Sequence, residues 1–245
     1  MADPELVVLS LRYSSWSMRA WLALRHAGIP FTTRTVALPG QRPVVSEDGG
    51  PVVADIPEGQ LEARRAQGSV TGLFPVLHVE GERIHESLAI AEWAAEEAPD
   101  AGLWPSDRLA RAKARACCLE MVGGFPGLRT HLSCHVFGRV PGFTPDAATQ
   151  QEIDRVFEMW TECLERSGGP FLFGAFGIAD CVYFPVLTRF ATYGVDLPAN
   201  LAAYDAAVRD VAAVKAWEAQ AREAPRIDPY DDYVRSLGGD PDAGL

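Results

Sequence analysis

The sequence predicts a chain built in two parts, an α/β half in which strands and helices alternate and an all-α half that follows it. Three observations carry this. Short apolar or β-branched runs occur at 6–11, 31–37 and 74–79, with no credible strand beyond Pro99. Helical spacing of apolar residues then dominates 107–223. The character changes after Pro99, so the two parts meet near 99–106.

Each element follows from local chemistry. LVVLSL at 6–11 is a short buried strand. It runs into Tyr13-Ser14-Ser15-Trp16-Ser17, a polar turn with good helix N-cap residues. MRAWLALRH, Met18 to His26, has helical spacing and stops at Gly28. FTTRTVA at 31–37 is β-branched and forms a second strand. Residues 39–72 are rich in Pro, Gly and charge, with one weak helix around Glu58–Ala66. FPVLHV at 74–79, a tight turn at Gly81-Glu82 and Arg83-Ile84-His85 make a β-hairpin. Glu86-Ser87 precedes LAIAEWAAEEA, an amphipathic helix ending near Pro99. Helices are expected over 107–135, 148–167, 178–193 and 208–223, and the polar, Gly- and Asp-rich end reads as a loose tail. The expected domains are therefore 1–98 and 107–228, with the tail at 229–245.

Composition narrows the function classes. With 245 residues and 48% hydrophobic, the chain buries a proper core. A net charge of −11 argues against nucleic acid or an anionic membrane surface as partner. Cys117, Cys118, Cys134, Cys163 and Cys181 form no CxxC and read as free thiols in a reducing compartment. His131 and His135 share a helix face, yet the histidines and cysteines make no zinc-type cluster, so no metal is expected. No apolar run reaches about 18 residues, and the N-terminus lacks the basic flank of a signal peptide. The expectation is a cytoplasmic protein without a membrane partner.

The order β-α-β-α-β-β-α is the thioredoxin-like plan, here followed by a helical-bundle domain. Four segments in order resemble the glutathione transferase family. Ser14-Ser15-Trp16-Ser17-Met18-Arg19 is similar to the serine motif of its zeta and tau classes. The resemblance puts Ser14 at the sulfur and Arg19 at an arginine of the helix; Ser15 and Ser17 remain alternatives, and the residues alone also fit a plain N-cap cluster. A hydroxyl at a helix N-terminus suits this chemistry because the thiolate is the nucleophile, and both the hydroxyl proton and the helix dipole favour the anion. Phe74-Pro75 resembles the family's cis-proline site, which implies that the Phe74 backbone pairs with the cysteinyl part of glutathione. Glu86-Ser87 resembles its acid–serine pair, which implies contacts to the γ-glutamyl ammonium and carboxylate at a helix N-terminus. Gly177-Ile178-Ala179-Asp180 resembles a capping box whose hydroxyl half is missing.

The resemblance implies a homodimeric glutathione transferase that activates glutathione, its co-substrate, for attack on an apolar electrophilic small molecule. Two alternatives are a glutathione-dependent cis–trans isomerase of the maleylacetoacetate type and a non-catalytic thioredoxin-like dimeric binding protein. Peroxide reduction is a weaker option. Trp16, Phe125, His131 and Phe137 are candidates to line the electrophile's pocket, and Arg42, Gln60, Arg64 or Gln67 to hold the glycine carboxylate.

Overall fold

Leu6, Val7 and Val8 have no exposed surface because their strand, β1 (Glu5–Val8), lies inside a sheet covered on both faces. The computed structural model describes residues 3–36 and 59–245. Its four-stranded sheet has the order β2-β1-β3-β4, with β2 at Thr32–Thr35, β3 at Val76–Val79 and β4 at Glu82–His85. β1 runs parallel to β2 and antiparallel to β3, with Leu6 opposite Leu77 and Val7 opposite Val76. Alternation splits the strand's side chains: Leu6 and Val8 join the main core, whereas Val7 packs with Val36, Phe74 and Val76 beneath the other face.

Helices α1 (Ser15–His26), α2 (Gln60–Ala66) and α3 (Ser87–Glu97) complete the thioredoxin-like part. The helical part holds α4 (Arg108–Gly123), α5 (Pro126–His131), α6 (Ala147–Ser167), α7 (Ile178–Tyr193), α8 (Ala199–Asp210), α9 (Ala212–Glu223) and α10 (Asp228–Ser236). α7 is apolar around nearly its whole circumference and is buried accordingly, packing on both α1 and α4. Gly177 caps it for a steric reason: a Cβ there meets the Leu103 carbonyl oxygen at 2.5 Å. That carbonyl accepts the Ile178 N–H, and the buried Asp180 carboxylate accepts from the Gly177 and Leu172 N–H groups and from the Tyr204 hydroxyl. Among the described residues no helix is long and apolar enough to cross a membrane.

The structure corrects four local expectations. The hairpin turn is Glu80-Gly81, one residue earlier than expected, with φ of 52° and 87°; a two-residue turn of this hand needs both central residues left-handed, which leaves Glu82 to pair with Val79. The stretch 107–135 is two helices, because Pro126 removes an N–H and disfavours helical geometry at Phe125, which sits at φ 60°. The expected 208–223 helix is the end of α8 and the whole of α9, separated by an extended Val211. The tail is not loose: α10 buries Asp231 and Val234, and Arg139 pairs with Asp240 beyond it. Its anchors lie far away in sequence, so its own polar composition hides them.

Candidate active site

Sheet register brings three loop segments to one end. β1 ends where β3 begins, since Val7 pairs with Val76, and β4 ends there too, since His85 also pairs with Val76. The turn leaving β1, Phe74-Pro75 before β3, and Glu86-Ser87 after β4 therefore share that end of the sheet.

In the first segment Ser14 is the N-cap of α1, with extended backbone. Its Oγ accepts the Ser17 N–H at 3.3 Å and the Ser17 hydroxyl at 2.9 Å, while Ser17 Oγ accepts the Leu9 N–H. Two donors engage the acceptor side of the Ser14 hydroxyl, so its own proton is free to donate outward. The geometry separates the three serines. Ser17 is wholly buried behind Ser14, and Ser15 Oγ lies 3.5 Å from an Arg189 guanidinium nitrogen.

Phe74-Pro75 is a cis peptide, and Phe74 is buried. Glu86 is exposed at φ 73°, a left-handed conformation unusual for a residue with a side chain, and makes no side-chain cap to α3. Such outliers concentrate at functional sites. Beside it Ser87 is buried, and its hydroxyl has no partner among the described residues. The first N–H groups of α3 thus face an uncapped end that suits a carboxylate.

The other sequence candidates fare differently. Phe125 and Phe137 belong to the core, with Phe137 between the guanidiniums of Arg12 and Arg222 at 5.0 and 5.1 Å. His131 bonds Thr149 Oγ1 at 2.7 Å, near the start of α6. Trp16, in the first turn of α1, and His131 at the end of α5 stay partly exposed. Arg64 is buried and donates to the Gly72 carbonyl at 2.7 Å, the Gln67 carbonyl accepts from Arg34, Gln60 opens α2, and Arg42 lies outside the described residues. His131 and His135 do not converge, and no cluster of three metal-type ligands occurs among the described residues.

Sequence reasoning missed the group that holds the serine turn. The Tyr13 hydroxyl donates to Asp231 Oδ1 at 2.7 Å, and its ring stacks on Tyr230 and meets His135 edge-on. His135 Nε2 lies 2.9 Å from the same oxygen, and Arg226 reaches Asp231 Oδ2 at 3.1 Å. Burial favours a neutral Asp231, yet the bonds from Tyr13 and His135 hold its carboxyl below the usual range. Burial lowers His135 and outweighs the pull of that carboxylate. The unfolded histidine gains a proton near pH ~6.5 while the folded one resists it, so this contribution to stability is lost as pH falls below that value. Asp231's contribution persists to lower pH, until its folded carboxyl protonates. Melting temperature should therefore drop between about pH 7 and 5, and His135→Gln should flatten that slope. An unchanged slope assigns the effect to other groups.

Residues 13–97 match the family model described as glutathione S-transferase, N-terminal domain, and residues 146–219 the corresponding C-terminal domain. A Caenorhabditis elegans protein named "Probable maleylacetoacetate isomerase" is 30% identical over 128 residues; the match spans 52% of this chain and about half, 51%, of that relative. Among solved structures, a glutathione transferase homolog from a Burkholderia, with bound glutathione, superposes at a TM-score of 0.65 with 22% identity, over 91% of this chain and 99% of that one. A diazinon-metabolizing glutathione S-transferase of the silkworm Bombyx mori reaches 0.67 with 16% identity over 91% and 99%. The Tau class enzyme of mango, Mangifera indica, reaches 0.61 with 20% identity over 96% and 98%. At these identities the structures share the fold.

Proposed function

Because the chain belongs to the glutathione S-transferase family, we propose that it binds glutathione where the three loop segments converge and activates its thiol as a thiolate for attack on an electrophilic small molecule. The observation that carries this reading is Ser14: its hydroxyl acceptors are engaged by Ser17, and its proton is free at the positive end of α1. The Glu86 carboxylate meets the γ-glutamyl ammonium, while the Ser87 hydroxyl and the α3 N–H groups meet its carboxylate. The Phe74 backbone pairs with the cysteinyl unit as an added strand. In this reading 1–98 carry glutathione, 107–228 seat the electrophile against α1, and the protein works as a cytoplasmic homodimer.

A second reading is favoured by the serine segment and by the likeness to the nematode protein's name. Here the thiolate adds to a conjugated double bond, rotation follows, and glutathione is released unchanged. Product analysis separates the two: conjugation consumes one glutathione per turnover, whereas isomerisation consumes none.

Glu86→Ala should weaken glutathione binding by about tenfold to a hundredfold in calorimetry, the loss expected for a charge-assisted hydrogen bond. Glu86→Gln, which keeps the side chain's shape, should fall between the two. An unchanged affinity places the γ-glutamyl group elsewhere.

A further inference from the structure

We propose that the electrophile carries a carboxylate, or an oxyanion of like geometry, held by Arg19, Arg129 and Arg189 on the helical side of Ser15. This rests on the thiol-transfer reading above and replaces the apolar co-substrate expected from the sequence with an anionic one.

The three guanidiniums come from α1, α5 and α7 and gather around Trp16 and Ser15. Arg19 and Arg129 lie 4.3 and 5.1 Å from the Trp16 ring centroid. Arg189 lies 3.5 Å from Ser15 Oγ. Several other arginines sit against carboxylates, as Arg34 does on Glu5, Arg115 on Glu92 and Arg155 on Glu120, while Arg64 and Arg111 donate to backbone carbonyls as single residues rather than in a cluster. None of Arg19, Arg129 and Arg189 makes an ion pair among the described residues, although the Glu152 carboxylate, bound to the Gly127 and Leu128 N–H groups, is near enough to act on Arg129. Arg129 and Arg189 donate to backbone carbonyls, including those of Gly124 and Leu132, which satisfies N–H groups without cancelling charge. Arg19 is 1% exposed, and its Nε and one terminal nitrogen have no hydrogen-bond partner among the described residues.

Uncompensated buried charge is costly, and removing one partner of a buried pair costs several kcal/mol for the same reason. Three cations gathered with no ion-paired carboxylate among the described residues therefore form a place that an anion stabilises. Burial, together with the neighbouring guanidiniums, lowers Arg19 to about 9 and Arg129 to about 10. The cluster grades from half-exposed Trp16 and Arg129 inward to buried Arg189 and Arg19, so it opens at one end. The guanidinium fork matches a planar carboxylate. Its place beside Ser15 sets a bound carboxylate next to the thiolate.

Two paired probes test this. The substrates are 4-(chloromethyl)benzoate and its methyl ester; in each the thiolate forms the C–S bond as the C–Cl bond breaks and chloride leaves. Each rate is divided by the uncatalysed one. The expected kcat/KM for the acid exceeds that for the ester by about tenfold or more, a charge-assisted pair's worth. Arg129→Gln and Arg189→Gln should remove this preference through KM for the acid, with KM for glutathione unchanged. Arg189→Lys, which keeps charge but loses the fork, should restore part of it. The unreactive pair is 4-methylbenzoate and its methyl ester, titrated by calorimetry into the protein with and without glutathione. The acid should bind and the ester should not.

Equal binding of acid and ester overturns the proposal. So does an acid-to-ester ratio that the variants leave alone while they raise the thiol's pKa, because the arginines would then serve the thiolate. Absence of glutathione binding and of all turnover instead sinks the thiol-transfer reading, and the 4-methylbenzoate titration still decides the anion site.

Discussion

Replacing Ser14 by Ala should raise the pKa of the bound glutathione thiol and lower turnover at neutral pH by about tenfold to a thousandfold, the range for losing one donor to a catalytic anion. The sign follows from the hydrogen bonds. Ser17 donates twice to Ser14 Oγ, so the Ser14 proton is free to donate outward and stabilises the charged form of a sulfur placed there more than the neutral thiol. Losing it disfavours the thiolate. The variant should still fold, since the lost N-cap costs about 1 kcal/mol. Glutathione affinity should hold, because the tripeptide's charged ends are bound elsewhere. Ser17→Ala frees the Ser14 hydroxyl to rotate and should have a smaller effect. Ser15→Ala should be smaller again. Thiolate absorbance against pH, with turnover of 4-(chloromethyl)benzoate, reads all three variants. A large effect at Ser15 alone moves the sulfur contact to that hydroxyl. No shift in any variant rules out serine activation of the thiol.

Asp231→Ala should destabilise the fold by about 3–5 kcal/mol, the range for stripping one partner from a buried ionic group. The Asp231 side chain is 2% exposed and accepts from Tyr13, His135 and Arg226. Alanine strands a buried hydroxyl and a buried imidazole at once. Tyr13 immediately precedes Ser14, so the loss should reach the active site as well as the melting curve. Asp231→Asn keeps acceptor capacity for Tyr13 and should cost less. The measurement is urea unfolding, with glutathione binding followed on the same samples. A shift under about 1 kcal/mol for the alanine variant means that packing of α10, not the carboxylate, anchors the turn.

Much of the architecture was legible because it is written locally. Strand alternation at Leu6–Val8, the Gly28 stop, the cap residues before α1 and the proline before β3 each depend on neighbours within a few positions. The Ser14 candidate was legible for that reason, as N-cap chemistry is a short-range signal. Pro126 was legible in principle, since it forbids one continuous helix, but apolar spacing on either side masked it.

The sequence by itself determined the order of elements, the division into an α/β and a helical part, and the residues available for thiol chemistry. Only the tertiary structure decided which of those residues are held and by what. Tyr13 and Asp231 are 218 positions apart, Gly177 is demanded by the carbonyl of Leu103, and Arg19, Arg129 and Arg189 meet from three helices with no ion pair among the described residues. Local propensity acts through the backbone of a few residues, whereas the charge state and burial of a site depend on distant segments that arrive only when the chain packs, and no pattern along the sequence encodes that meeting.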